Sequence, residues 1–305
     1  MNEKIKGYLY VAIAGLLWST IGLFGNTLMS AGLTPEQVSF ARLFLGCLIL
    51  VVYSLIKNTK LLKISKKGIM YSAVLGLVCQ ATYNYCYFNA IDKVGVSVAA
   101  VLLYTSPLFL AILSKIIFKE ELTKNKIISL VICFVGAVLV VTGGNFNFEG
   151  LNALGIIMGI ISAISYSLMP VINKNALKEN ESITLTIYGF LFGAIFMLPI
   201  ADIGDMVSYI GNVDVMVNIL LLALLAAAMA YIFYVEGISK GIELSIAGVV
   251  ASIELVMASI LGWTIIGEEF SLIKLLGLIF MIISALVILK GSVVKEKNNE
   301  VENVA

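Results

Sequence analysis

The chain has 305 residues, of which 60% are hydrophobic and 13% charged, with a formal net charge of +1. Too few charges remain to cover a soluble protein of this length, so composition points to an all-α integral membrane protein. The near-neutral charge gives no electrostatic case for binding nucleic acid, and the absence of histidine excludes histidine-dependent membrane enzymes.

Runs of roughly 20 apolar residues cross about 30 Å of hydrocarbon as a helix. They predict spans at 7–28, 36–56, 69–91, 95–118 and 124–142. Lys4 and Lys6 before the first run resemble a signal peptide, but the run continues past Phe24, so this reads as an uncleaved first span. A polar connector at 143–152 follows, then spans at 153–173, 183–201, 216–238, 243–266 and 271–290. The chain thus divides into five-helix units at 1–145 and 150–292, with 293–305 as a short disordered cytoplasmic tail.

The two units superimpose without a gap at an offset of 148 residues: Gly7 meets Gly155, Ser19 meets Ser167, Phe44 meets Phe192, Tyr83 meets Tyr231, and Glu120–Glu121 meets Glu268–Glu269. Because five is odd, the second copy enters the membrane in the opposite sense. The expected fold is ten transmembrane helices in two inverted five-helix repeats, an architecture common among secondary transporters.

Lysine placement gives an independent orientation, since cytoplasmic loops retain positive charge. Lys4, Lys6, the five lysines between Lys57 and Lys67, Lys119, Lys124, Lys126, Lys174, Lys178, Lys240 and Lys290 all fall in connections on one side. At the equivalent positions of the other copy the charge is lost: the five-lysine loop matches a stretch holding Asp202, Asp205 and Asp214, and Lys119 matches Gly267. Lys93 and Lys274 are the exceptions, near predicted outer interfaces. Both termini are expected on the cytoplasmic face of the plasma (inner) membrane. Cys47, Cys79, Cys86 and Cys133 lie inside apolar spans without ligand spacing and are read as free thiols.

Several segments carry a family resemblance: 15–22 (GLLWSTIG), 83–90 (YNYCYFNA), 98–109 (VAAVLLYTSPLF), 118–122 (FKEEL), 245–259 (SIAGVVASIELVMAS) and 266–271 (IGEEFS), with Arg42 early in the second span. In their duplicated frame the chain resembles the drug/metabolite transporter superfamily, EamA type. The resemblance implies passage of amino acids, other small metabolites or drugs through a cavity between the halves, usually outward and without ATP hydrolysis. One departure is that the Glu-Pro pair frequent in the family's span nine is here Glu254–Leu255, which leaves the kink expected from that proline unsupported, while span four keeps Pro107.

Glu254 sits near the middle of span nine, where an acidic side chain costs about 2.5 to 3.5 kcal/mol on insertion scales unless it faces protein or water. It reads either as a cavity carboxylate for a cationic or amino group or a proton, or as a helix packing contact. Glu236 reads as a partner of Lys240 one turn on, and the doubled Glu120–Glu121 and Glu268–Glu269 as structural, next to the N-caps Thr123 and Ser271. Gln80, Tyr83, Asn84 and Tyr87 form one polar stripe on span three that should face a cavity. Trp18, Tyr104, Ser106, Tyr166 and Tyr231 can join it in a mixed aromatic and hydroxyl pocket. Arg42, the only arginine, is placed in the outer third of span two and given a structural or gating role in preference to substrate contact. Pro107 is read as a hinge that frees a backbone carbonyl within span four.

A single central carboxylate without an opposing cation favours zwitterionic, cationic or neutral solutes over phosphorylated anions. The leading function is a secondary transporter with alternating access, exporting amino acids or related metabolites. A drug or cation efflux carrier and a passive facilitator stay open. A membrane enzyme is disfavoured by the absence of a GxxxxGK[ST] loop or a nucleophile–base pair. No cofactor or metal is expected; the partners are a small-molecule substrate and the bilayer. Proton coupling and the choice of monomer or homodimer stay open.

Overall fold

The computed structural model describes residues 3–145, 152–267 and 269–302, and these form helices and short connections with no β-strand. Eight described helices are long and apolar enough to cross a membrane: Glu3–Ser30, Pro35–Lys57, Val98–Phe118, Lys124–Thr142, Ala153–Ala176, Val213–Ser239, Leu244–Ile266 and Leu272–Lys290. Ser182–Met197 is a shorter apolar helix. The predicted third span falls on Lys66–Val74, Leu75–Thr82 and the start of Tyr83–Leu103, which bends at Gly95, where φ is 80°. The final helix continues beyond Lys290, through much of the segment expected as a disordered tail, to Glu302; 303–305, Glu268 and most of the connector lie outside the described residues.

Local chemistry sets the helix starts. Thr34 and Gln37 form a reciprocal capping box with Pro35 in the first turn. The hydroxyls of Ser65 and Thr123 accept from backbone N–H groups three residues on, and the side chains of Asn152 and Asn212 do the same job. Ser271 accepts from Lys274 N–H at 3.4 Å, so both threonine and serine caps predicted beside the paired glutamates are present.

The duplication shows in the irregularities. Wide π turns occupy Leu75–Thr82 and Leu222–Met229. Helices break at Tyr104 (φ −71°, ψ 3°) and at Ser252 (φ −65°, ψ −4°), which are 148 positions apart. Left-handed residues end the following helices at Lys119 (φ 57°) and Gly267 (φ 81°), again 148 positions apart. The break at Ser252 arises without the proline that the Glu254–Leu255 pair lacks. Pro107 in turn sits in the first turn of helix Ser106–Phe118, where a missing N–H is harmless. The break in the helix therefore lies at Tyr104–Thr105, before Pro107.

Packing crosses between the copies. Helix Glu3–Trp18 lies on Ala230–Ser239, and Tyr83–Leu103 lies on Ala153–Ala176. A Cβ at Gly7 would stand 2.5 Å from Ile242 Cγ2, and one at Gly155 would stand 2.7 Å from Val94 Cγ1. Those two contacts are equivalent across the repeat, and each needs a glycine for close approach. Pro35–Lys57 packs on Ser182–Met197, and Lys124–Thr142 on Leu272–Glu302. In the latter pair Gly136 and Gly277 bring the backbones together, each leaving under 3 Å between an added Cβ and the other's carbonyl.

Candidate functional site

A cavity of about 400 Å³ penetrates one end of the molecule. Exposed Asn26 and Met29 lie at its mouth, and Trp18, Arg42, Tyr83, Tyr104 and Glu254 line its depth. The polar stripe of the third span supplies Tyr83, Asn84 and Tyr87 to this wall, as its spacing predicts. Tyr166 and Tyr231 join Trp18, Arg42, Tyr83 and Glu254 around a crevice of about 30 Å³. Ser106 and Pro107 lie one layer further, with Tyr104, Tyr166 and Glu254, around a second void of similar size. Gln80 faces the opposite side of Tyr231, in a pocket of about 20 Å³ with Asn173 and Thr186.

Side-chain bonds hold the stripe in register. Ser39 Oγ donates to Asn84 Oδ1 at 3.2 Å, Asn84 Nδ2 donates to the Gln80 carbonyl at 2.7 Å, and Gln80 Nε2 donates to the Tyr231 hydroxyl at 2.9 Å. Aromatic rings complete the floor. Trp18 meets Tyr231 at 5.4 Å between centroids and Tyr234 at 4.9 Å, Tyr83 meets Tyr166 at 5.5 Å, and Phe190 meets Tyr231 at 4.8 Å. Edge and tilted contacts of this kind are rigid and apolar while leaving hydroxyls available.

Glu254 belongs to the first turn of helix Ile253–Leu261. The break at Ser252 puts its carboxylate beside the positive end of a helix dipole, which favours the charge without an ion pair. Arg42, placed by its depth in the outer third of span two, lies on the cavity wall. Its helix presents Val38, Ser39 and Arg42 on one face, at three- and four-residue spacing, so the guanidinium enters the cavity that holds Glu254. A cation therefore does oppose the central carboxylate. Among the described residues neither side chain makes a hydrogen bond or an ion pair within 4 Å, although each lies in the other's field. A guanidinium and a carboxyl group on one cavity wall without such partners are completed by water or a solute.

Sequence reasoning passed over Asn26, Ser39, Asn173, Ser252 and Tyr234. Ser39 and Tyr234 were accessible through spacing, one turn from Arg42 and from Tyr231. Glu236 lies 3.1 Å from Lys240 and accepts from Ser182 Oγ at 2.9 Å, away from the cavity. Among the described residues no cluster of three or more His, Cys, Asp or Glu could hold a metal.

Comparison with known proteins agrees with this architecture. The profile of the EamA-like transporter family matches twice, at residues 5–142 and 153–290, an interval of 148 positions. The chain is similar to an uncharacterized transporter of Clostridium kluyveri, 24% identical over 98% of this chain and 97% of the relative. An uncharacterized transporter of Archaeoglobus fulgidus is 26% identical over 88% of this chain and 90% of its own length. An S-adenosylmethionine uptake transporter of Rickettsia felis is 24% identical over 66% of this chain and 67% of its own. A solved crystal structure shares the fold with a TM-score of 0.75 at 16% identity, covering 92% of this chain and 95% of that one. This multi-pass membrane protein belongs to the EamA-like transporter family.

Proposed function

We propose that the protein is a secondary carrier for amino acids or closely related zwitterionic metabolites, working by alternating access between two inverted five-helix repeats at 1–145 and 150–292. In this reading all ten helical segments span the plasma membrane with both termini cytoplasmic, as the lysine distribution supports. The observation that carries it is the pair Arg42 and Glu254, which face one cavity and have no hydrogen-bond or ion-pair partner among the described residues. A guanidinium is suited to a carboxylate through paired N–H donors, and a carboxylate to an ammonium group; a zwitterion satisfies both at once. The aromatic rings around them supply an apolar body contact and a cation–π face.

Outward passage follows the family's usual direction, whereas the rickettsial relatives are named for uptake of S-adenosylmethionine, itself an amino-acid derivative. A carrier of this kind runs with the gradient of its solute and of any coupled ion, so one cavity serves either direction. Counterflow in proteoliposomes tests the reading with a panel of amino acids, nucleosides, sugar phosphates and cationic drugs, with and without a pH gradient. Saturable counterflow of amino acids is expected. Glu254→Gln and Arg42→Gln should each lose roughly ten- to a hundredfold, the equivalent of one charged hydrogen bond of about 1.5 to 3 kcal/mol. Counterflow of sugar phosphates but not amino acids, or full activity in both variants, sinks the proposal.

A further inference from the structure

Beneath Tyr231, on the side away from the open cavity, lies the small pocket lined by Gln80, Asn173, Thr186 and Phe190. Its walls repeat those of the open cavity: Asn173, Phe190 and Tyr231 stand 148 positions after Gly25, Arg42 and Tyr83, which line that cavity. The pocket is mainly apolar, yet three buried polar side chains, Gln80, Asn173 and Thr186, face into it. Gln80 Oε1 is fully buried and accepts no hydrogen bond among the described residues, and Asn173 is 3% exposed. Static packing would fill such a place with apolar side chains, because an unpaired buried acceptor is unfavourable.

Next to Asn173 in the chain, Lys174 begins a cross-link between the copies at the lysine-rich end. Glu120 of the first copy accepts from the backbone N–H groups of Leu244 and Ser245 at 2.9 and 3.2 Å and from Ser245 Oγ at 2.9 Å. Lys174 of the second copy stands 3.2 Å from the same carboxylate and donates to the Ile242 carbonyl. Lys126 of the first copy pairs with Glu243 of the second and donates to the Glu121 carbonyl at 2.7 Å. Glu120 and Lys126 thus hold the start of helix Leu244–Ala251 against the first copy at the only places where charge is buried on that side among the described ion pairs.

We infer that the pocket beneath Tyr231 is the closed inner half of the solute pathway, and that Glu120, Lys126, Lys174 and Glu243 form the latch that keeps it shut while the outer cavity is open. The inference rests on the carrier reading and deepens it by naming the second vestibule and its lock. When the latch releases, Gln80, Asn173 and Thr186 offer neutral hydrogen-bonding groups to the departing solute. Phe190 stands where the outer vestibule has Arg42, so the lining of the inner pocket itself presents no cation to the solute's carboxylate.

The test uses the full chain in proteoliposomes with single-cysteine reporters, Thr186→Cys for the inner pocket and Asn26→Cys for the outer mouth, labelled by a membrane-impermeant maleimide from each face. The parent protein, whose described cysteines are buried, sets the blank. Lys126→Gln, and separately Glu120→Gln, should speed labelling of Thr186→Cys from the lysine-rich face at least tenfold and slow that of Asn26→Cys. Exchanging the pair as Lys126→Glu with Glu243→Lys should restore the parent rates. Acceleration at neither site, or at both together, overturns the latch. Because labelling needs no solute, its failure is separable from a failure of counterflow.

Discussion

Two aromatic contacts flank the site at equivalent places in the two copies. Trp18 meets Tyr231 at 5.4 Å, and 148 positions on, Tyr166 meets Tyr83 at 5.5 Å. Their surroundings differ. Tyr231 accepts a hydrogen bond from Gln80 and packs against Phe190, whereas the positions matching Gln80 and Phe190 in the other copy are Ala228 and Arg42. Tyr83 therefore stands on the wall of an open cavity, and Tyr231 closes the floor beneath it. A duplicated scaffold sets where the rings go, and a few unmatched substitutions decide which side is sealed.

The largest effect that separates the two sides should come from truncation. Tyr231→Ala removes a ring enclosed by Trp18 and Phe190, and by analogy with large core truncations it should cost about 3 to 5 kcal/mol. Tyr83→Ala, which opens onto space already present, should cost well under half of that while still impairing counterflow. Denaturant melts of the purified protein read the difference, and equal losses would end the distinction between floor and wall.

Symmetry can be tested where it is closest. Gly7→Ala and Gly155→Ala each drive a Cβ into the other copy, at Ile242 and at Val94, and both should destabilise by about 1 to 3 kcal/mol. One neutral substitution among the two would break the equivalence of the crossed packing. The smallest effect belongs to the left-handed helix ends. Lys119 adopts φ 57° where its mate Gly267 adopts 81°, so Lys119→Gly should raise stability by about 1 kcal/mol through relief of Cβ strain. An unchanged or lower melting temperature would show that the lysine side chain compensates.

Most of the helices were legible because an apolar run of about 20 residues has few alternatives in a bilayer, and the constant offset made the duplication visible. The stripe from Gln80 to Tyr87 was legible for the same reason of period. What escaped was whatever depends on how one helix meets another. The π turn at Leu75–Thr82 leaves no compositional mark. The break at Ser252 occurs without a proline, since it repeats a geometry already present at Tyr104. Arg42 was judged by its depth along the span, while its place on the cavity wall follows from the face that Val38 and Ser39 share with it.

The crossed packing also bears on how the chain is made. Tyr8, in helix Glu3–Trp18, accepts a hydrogen bond from the Glu243 backbone N–H, 235 residues later. Contacts that distant cannot form until residue 243 has been synthesised. Helix Glu3–Trp18 must therefore wait for Ala230–Ser239 before it finds its neighbour.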